Sequence, residues 1–166
     1  MPAPEDRHWL QSIVARLAHQ YDGPDFAPHV TIFSGEYILE SSVSDTMRSV
    51  VQDIHPFSLV ANGVAHSDEF IKTLYLVLDS TPMLTRLSKR LEDQACSPAQ
   101  DVLKPHLSLL YKRMSSSERA RCAAAISTDR TEIWFDALQA VETPKRTTDR
   151  CEIESWKPLG GIPLLV

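Results

Sequence analysis

Two stretches, Pro28-His29-Val30-Thr31-Ile32-Phe33 and Pro105-His106-Leu107-Ser108-Leu109-Leu110, repeat one order of proline, histidine, apolar, hydroxyl and apolar residues. On a strand, successive side chains point to opposite faces. Each stretch therefore sets its histidine and hydroxyl on one face, His29 with Thr31 and His106 with Ser108. The aliphatic residues between them take the other. One face suits a core and the other suits something polar.

Outward from these stretches the chain reads as helix, strand, helix, strand, strand, and then as the same series again. Residues 5–20 carry Trp9, Leu10, Ile13, Val14 and Leu17 at helical spacing, and Tyr21-Asp22-Gly23-Pro24 stops that helix. His29 to Phe33 is a short strand. Residues 42–54 are helical through Val43, Met47, Val50, Val51 and Ile54, with Pro56 as the limit. Phe57–Ala65 and Lys72–Asp79 read as strands, with a bulge at Asn62-Gly63 and a turn at Ser67-Asp68-Glu69. Leu74 to Leu78 is nearly unbroken apolar sequence, as in a strand buried on both faces.

Thr81-Pro82 opens the second series as an N-cap and N1 pair, and Leu84, Leu87 and Leu91 form the stripe of its helix. A loop at Cys96–Gln100 leads to a strand over His106–Tyr111. Ser115-x-x-Glu118 is a capping box for a helix ending near Ile126. Strands at Glu132–Glu142 and Cys151–Pro158 close the chain as a hairpin around Pro144–Asp149. This order predicts an α+β fold. Residues 1–166 form a single domain, duplicated into two pseudo-symmetric lobes with one histidine motif each. Antiparallel sheets line a central cleft and helices lie outside.

Composition narrows the function. Of 166 residues, 43% are hydrophobic and 23% charged, enough to bury a core without disulfide or metal staples. No apolar run reaches the roughly 18–20 residues of a membrane span, so no membrane partner is expected. Met1 to Arg7 lacks the basic-then-apolar order of a secretory signal, which predicts a cytoplasmic location. Cys96, Cys122 and Cys151 are odd in number and far apart, and read as reduced thiols or at most one bridge, not a zinc site. A net charge of −5 argues against a broad basic face for duplex nucleic acid. A small anion stays compatible, because a few local cations and amides can hold one phosphate.

If a pseudo-two-fold axis relates the lobes, the two motifs meet in one cleft. Two imidazoles and two hydroxyls around a common centre suit phosphodiester hydrolysis. One neutral histidine takes a proton from water while the other, as imidazolium, gives one to the departing oxygen. An ordinary pKa of about 6.5 lets both forms exist near neutrality. Thr31 and Ser108 can donate to the non-bridging oxygens. No cofactor or metal is required, and the set lacks the His/Asp/Glu cluster of a two-metal phosphatase. A lone His-x-Thr is ordinarily a hydrogen-bonded structural histidine. Shared flanks and symmetric placement are what favour a common site.

The twin motif resembles the two-histidine (2H) phosphoesterase superfamily, defined by two His-x-Thr/Ser-x motifs in a duplicated α+β fold. Within it, Pro28-His29-Val30-Thr31-Ile32 followed by Gly35, and Pro105-His106-Leu107-Ser108-Leu109-Leu110-Tyr111, are most similar to the plant and yeast cyclic phosphodiesterase subgroup. The closing strand around Trp156 also matches, so the resemblance spans nearly the whole chain. It implies hydrolysis of a 2′,3′-cyclic phosphate to a 2′-phosphate, or of ADP-ribose 1″,2″-cyclic phosphate to the 1″-phosphate. It also implies a small cyclic-phosphate nucleotide as the substrate partner, and a site of His29, Thr31, His106, Ser108 and Tyr111. In that scheme His106 activates water and His29 protonates the leaving oxygen; the residues alone do not order these roles. Simple alternation puts Tyr111 on the face opposite His106, so its participation needs a bulge or a strand end there. Members usually begin with an apolar strand ending near Leu-Pro or Met-Pro. Here Met1-Pro2 falls at that point, which predicts an open sheet edge. A monomer is expected, with a dimer through that edge as the other state.

The remaining candidates have ordinary explanations. Lys72, Lys104, Lys112 and Arg113 stand near the motifs but read as solvated charge. Trp9, Trp134 and Trp156 read as core, with Trp156 the best placed to stack a base. His8, His19, His55 and His66 have no hydroxyl in register. Pro144 to Thr148 lies on a hairpin tip that could gate the cleft. Two rival readings remain: a 2′–5′ RNA ligase or phosphodiesterase acting on oligonucleotides, and a non-catalytic nucleotide-binding module.

Overall fold

The computed structural model describes residues 1–35, 42–95 and 103–165. The loop expected at Cys96–Gln100 lies outside them. Helix α1 spans Pro4–Tyr21, with proline in its first turn and Glu5 and Asp6 at the positive end of its dipole. Leu10, Ile13, Val14 and Leu17 form its buried stripe. Helix α2 (Val43–Val51) is capped by Ser42, and α3 (Pro82–Gln94) by Thr81, whose hydroxyl accepts the Leu84 N–H. Helix α4 (Ser116–Ala125) opens on the full Ser115/Glu118 capping box. Helices α3 and α4 start where their local signals said they would, while α2 ends at Val51, short of the expected residue 54.

Strands β1 (Phe57–His66), β2 (Leu74–Leu78), β3 (His106–Leu110) and β4 (Glu132–Phe135) form one antiparallel sheet in the order β3-β2-β1-β4. The sheet takes two strands from each half of the sequence. Leu59, Leu74, Leu76, Leu107 and Ile133 line its inner face and pack with Leu10, Ile13 and Leu17 of α1. At the expected bulge, three steps on β1 from Ala61 to Val64 span two on β2 from Leu78 to Leu76. Gly63 takes φ 95° there, a conformation that favours glycine. β2 was expected to be buried on both faces. Instead Leu74, Leu76 and Leu78 are buried, while Tyr75 and Val77 are half-buried on the face that carries His106.

Strands β5 (Ala137–Glu142) and β6 (Lys157–Pro163) form a second, two-stranded antiparallel sheet. Leu138 and Ile162 pack with Val50 and Val51 of α2 and Leu87 of α3. Two sequence readings are corrected here. The strand expected over Glu132–Glu142 divides at Asp136, where the chain passes from one sheet to the other. The strand expected over Cys151–Pro158 is helix α5 (Arg150–Glu154) followed by β6. Asp149 caps that helix by accepting the Glu152 N–H at 3.0 Å.

The edge expected to be open is covered. Pro2 bridges Phe135, the Ala3 N–H donates to Trp134 (2.7 Å), and the Asp136 N–H donates to Met1 (3.2 Å). Asp6 is buried beneath this junction, where it pairs with Arg130 and accepts the Trp134 N–H at 2.8 Å. Among the described residues, no helix is long and apolar enough to cross a membrane.

Candidate active site

The chain leaves α1 through Asp22, in the left-handed region at φ 51°, and Gly23, which packs tightly against β3. It then runs by Phe26 to the first motif. The strand expected over His29–Phe33 is reduced to a single antiparallel bridge, Val30 to Leu107. Pro28 has no N–H to give a longer ladder. That one bridge sets the register. His29 falls across from Ser108 and Thr31 across from His106, on the face away from Val30 and Leu107. Diagonal neighbours in such a pair, as His29 and His106 are, lie about 7–8 Å apart, with their Cβ atoms somewhat closer.

Both imidazoles are held by the same device. Nδ1 of His29 lies 2.7 Å from the Ala27 carbonyl, and Nδ1 of His106 lies 2.8 Å from the Lys104 carbonyl. A carbonyl only accepts, so each Nδ1 carries a proton and donates it. In the neutral ring Nε2 is then left with its lone pair. The proline between each histidine and its acceptor fixes φ and turns that carbonyl toward the ring. Each ring also meets an aromatic edge. His29 stands T-shaped to Trp156 (5.9 Å), and His106 to Tyr75 (5.5 Å).

Both histidines are half-buried, and burial lowers both pKa values below the ordinary one. The bonds to Ala27 and Lys104 oppose that fall without cancelling it. At His29 the Met1 amine and the charge on His106 lower it further. At His106 Lys72 lowers it and Glu69 raises it. The charge on His106 is thus felt at His29, and both rings lose their protons more readily than a free imidazole.

The hydroxyls are unequal. Thr31 is exposed, whereas Ser108 is 6% exposed and donates to the Ile71 carbonyl at 2.9 Å. Tyr111 reaches their face through a bulge. Leu74 pairs with Leu110 and Tyr75 with Ser108, so one step on β2 spans two on β3 and the alternation reverses. Tyr111 is 2% exposed and stacks on Phe26 at 4.0 Å. Burial pushes its phenol up to about 12, against a smaller opposing effect of the Ser108 hydroxyl. It is a neutral side chain in the wall of the site.

Trp156, read as core, lies beside the histidine of the first motif. Trp156 meets both His29 and Tyr111 (6.1 Å), and its indole N–H donates to Thr147 at 3.4 Å. Only α5, whose cap signal was missed, brings it there. Trp134, read as core, is 49% exposed. Trp9 packs on the main core with Arg130 over its ring at 5.4 Å. His8, His19 and His55 are exposed. Cys122 is buried and Cys151 exposed, and both are free thiols. Among the described residues, no three His, Cys, Asp or Glu side chains converge to hold a metal.

The sequence model of the 2′-5′ RNA ligase superfamily matches residues 2–147. A cyclic phosphodiesterase of Arabidopsis thaliana is 22% identical over 160 residues, covering 95% of this chain and 88% of the relative.

Proposed function

The chain belongs to the 2′-5′ RNA ligase superfamily, the two-histidine phosphoesterases, and from that premise we propose that it hydrolyses cyclic phosphate diesters without a metal. The substrates of this reading are 2′,3′-cyclic nucleotides or ADP-ribose 1″,2″-cyclic phosphate, and the product is the corresponding monophosphate. The name of the Arabidopsis relative supports the substrate class. The observation that carries the reading is the pair of imidazoles with the same tautomer, His29 and His106, on one face of one bridge.

The steps follow from that pair. Binding of an anionic phosphodiester favours the imidazolium form and returns a proton to one ring. Water attacks phosphorus, and the neutral Nε2 takes its proton. The bond from phosphorus to the departing ribose oxygen breaks, and that oxygen takes the proton of the other Nε2. The exposed Thr31 hydroxyl donates to a non-bridging oxygen. Tyr111 and Trp156 keep the His29 side of the site partly dry.

Assay of 2′,3′-cyclic AMP in EDTA, with the product identified by phosphorus NMR, tests this. The expected result is turnover to 2′-AMP, with His29→Ala and His106→Ala each lowering kcat about 10²–10⁴-fold. The double variant should lose little more than the worse single one, since the two act as a unit. No turnover by the wild type, or unchanged rates in either variant, rejects the reading. Cleavage confined to 2′–5′-linked dinucleotides would instead place the chain with an oligonucleotide activity.

A further inference from the structure

The imidazole of His29 turns about two side-chain torsions, and its bond from Nδ1 to the Ala27 carbonyl at 2.7 Å restrains one combination of them. The other stays free, and Nε2 moves with it. Aim matters at that atom, because a displacement of about 1 Å can cost 10²-fold in rate. The backbone gives His29 little help. Among the described residues, the first motif is joined to β3 by a single bridge and not by a full strand. His106 is better served. Its aromatic neighbour Tyr75, at 5.5 Å and 74°, lies on the adjacent strand of the same sheet.

Trp156 gives His29 a second contact. The two ring centroids lie 5.9 Å apart at 69°, an edge-to-face arrangement that aromatic pairs favour. The indole is itself fixed. Its residue ends α5, where the Trp156 N–H donates to the Ile153 carbonyl at 3.1 Å. Ile153 is 4% exposed and shares a small core with Val14 of α1, Phe26 and Tyr111, against which Trp156 packs. Trp156 meets Tyr111 at 6.1 Å and 63°, and Tyr111 stacks on Phe26 at 4.0 Å. Phe26 leads into the first motif and Tyr111 follows the second, so this core ties the indole to both. The ion pairs of Arg150 with Asp22 and Glu154 add little, since all three side chains are more than half exposed.

Building on the phosphoesterase reading, we propose that Trp156 is a positioning residue: the core around Ile153 and Tyr111 holds the indole, and the indole fixes the plane of the His29 imidazole. Helix α5 thereby supplies a restraint that a single bridge does not. The reacting atom stays Nε2 of His29, and Trp156 acts through it.

The test compares wild type with Trp156→Leu, Trp156→Phe, His29→Ala and the His29→Ala/Trp156→Leu double variant. Trp156→Leu should lower kcat on 2′,3′-cyclic AMP about 10–100-fold, with KM and the calorimetric affinity for 2′-AMP near wild type. Trp156→Phe keeps an aromatic ring and should restore most of the loss. Adding Trp156→Leu to His29→Ala should cost little further, because the residue it positions is gone. Wild-type kcat in Trp156→Leu overturns the proposal, as does a loss that multiplies with that of His29→Ala. A fall in 2′-AMP affinity with kcat kept would make the indole a substrate contact, and overturns it too. Should Trp156→Leu not fold, Ile153→Val removes one methyl group from the supporting core and should lower kcat in the same sense. A wild type without turnover rejects the cyclic phosphodiesterase reading alone. Carbon-13 relaxation of the two imidazoles then decides on Trp156. In Trp156→Leu or Ile153→Val the order parameter of the His29 ring should fall while that of His106 holds, and an unchanged His29 ring overturns the proposal.

Discussion

Val30 and Leu107 pair as antiparallel neighbours, and this bridge brings two motifs from opposite halves of the chain into register. Leu107 is fully buried and Val30 packs against the same core. The residues on either side, His29, Thr31, His106 and Ser108, must therefore share the opposite face. The core places the site by burying what lies between its members.

The Nδ1 bonds predict one tautomer at both positions. Long-range proton–nitrogen NMR of histidine-labelled protein at pH 8 should show His29 and His106 protonated at Nδ1 and bare at Nε2. Protonation of either ring at Nε2 alone would contradict the geometry.

Burial predicts the pH dependence. It removes the water that stabilises imidazolium, so both histidines lose their protons below the ordinary value of about 6.5. The proposed mechanism needs one ring charged and one neutral. Below both apparent pKa values the base is lost, and above both the acid is lost. The plot of kcat/KM should be a bell centred below pH 6.5. Tyr111, pushed up to about 12, adds no limb between pH 8 and pH 10. A kcat/KM optimum at pH 8 would contradict this.

Gly23 predicts a link between packing and the first motif. A Cβ there would stand 2.9 Å from Cδ1 of Leu110 and 3.4 Å from the Tyr111 carbonyl. Gly23→Ala should destabilise the fold by about 1–3 kcal/mol, as overpacking of a dense site does. It should also lower kcat/KM by shifting the segment that carries His29. Denaturant unfolding and the assay above read the two effects. A variant as stable and as active as wild type would show that the contact yields freely.

Much of the fold was legible because its signals are local. Thr81-Pro82 and Ser115-x-x-Glu118 specify helix starts within one turn of chain, and both helices begin there. Asn62-Gly63 marks a bulge because Gly63 needs a positive φ. The Asp149 cap was equally local, but the strand reading of Cys151–Pro158 hid the short helix. At Asp136 no such signal exists. The change of sheet there depends on Met1 and Leu164, which bond to its backbone from the two ends of the chain.

The sequence by itself determined which side chains share a face, His29 with Thr31 and His106 with Ser108, since alternation along a strand needs only neighbouring residues. It also carried the family, because the twin motif lies in the order of residues. Only the tertiary structure decided what those side chains meet. The bulge that turns Tyr111 toward Ser108 is a register shift between two strands. The bond that commits Ser108 to Ile71 joins residues 37 positions apart. The contact of Trp156 with His29 crosses most of the chain. Each depends on which distant segments the core brings together, and no local stretch of sequence encodes that.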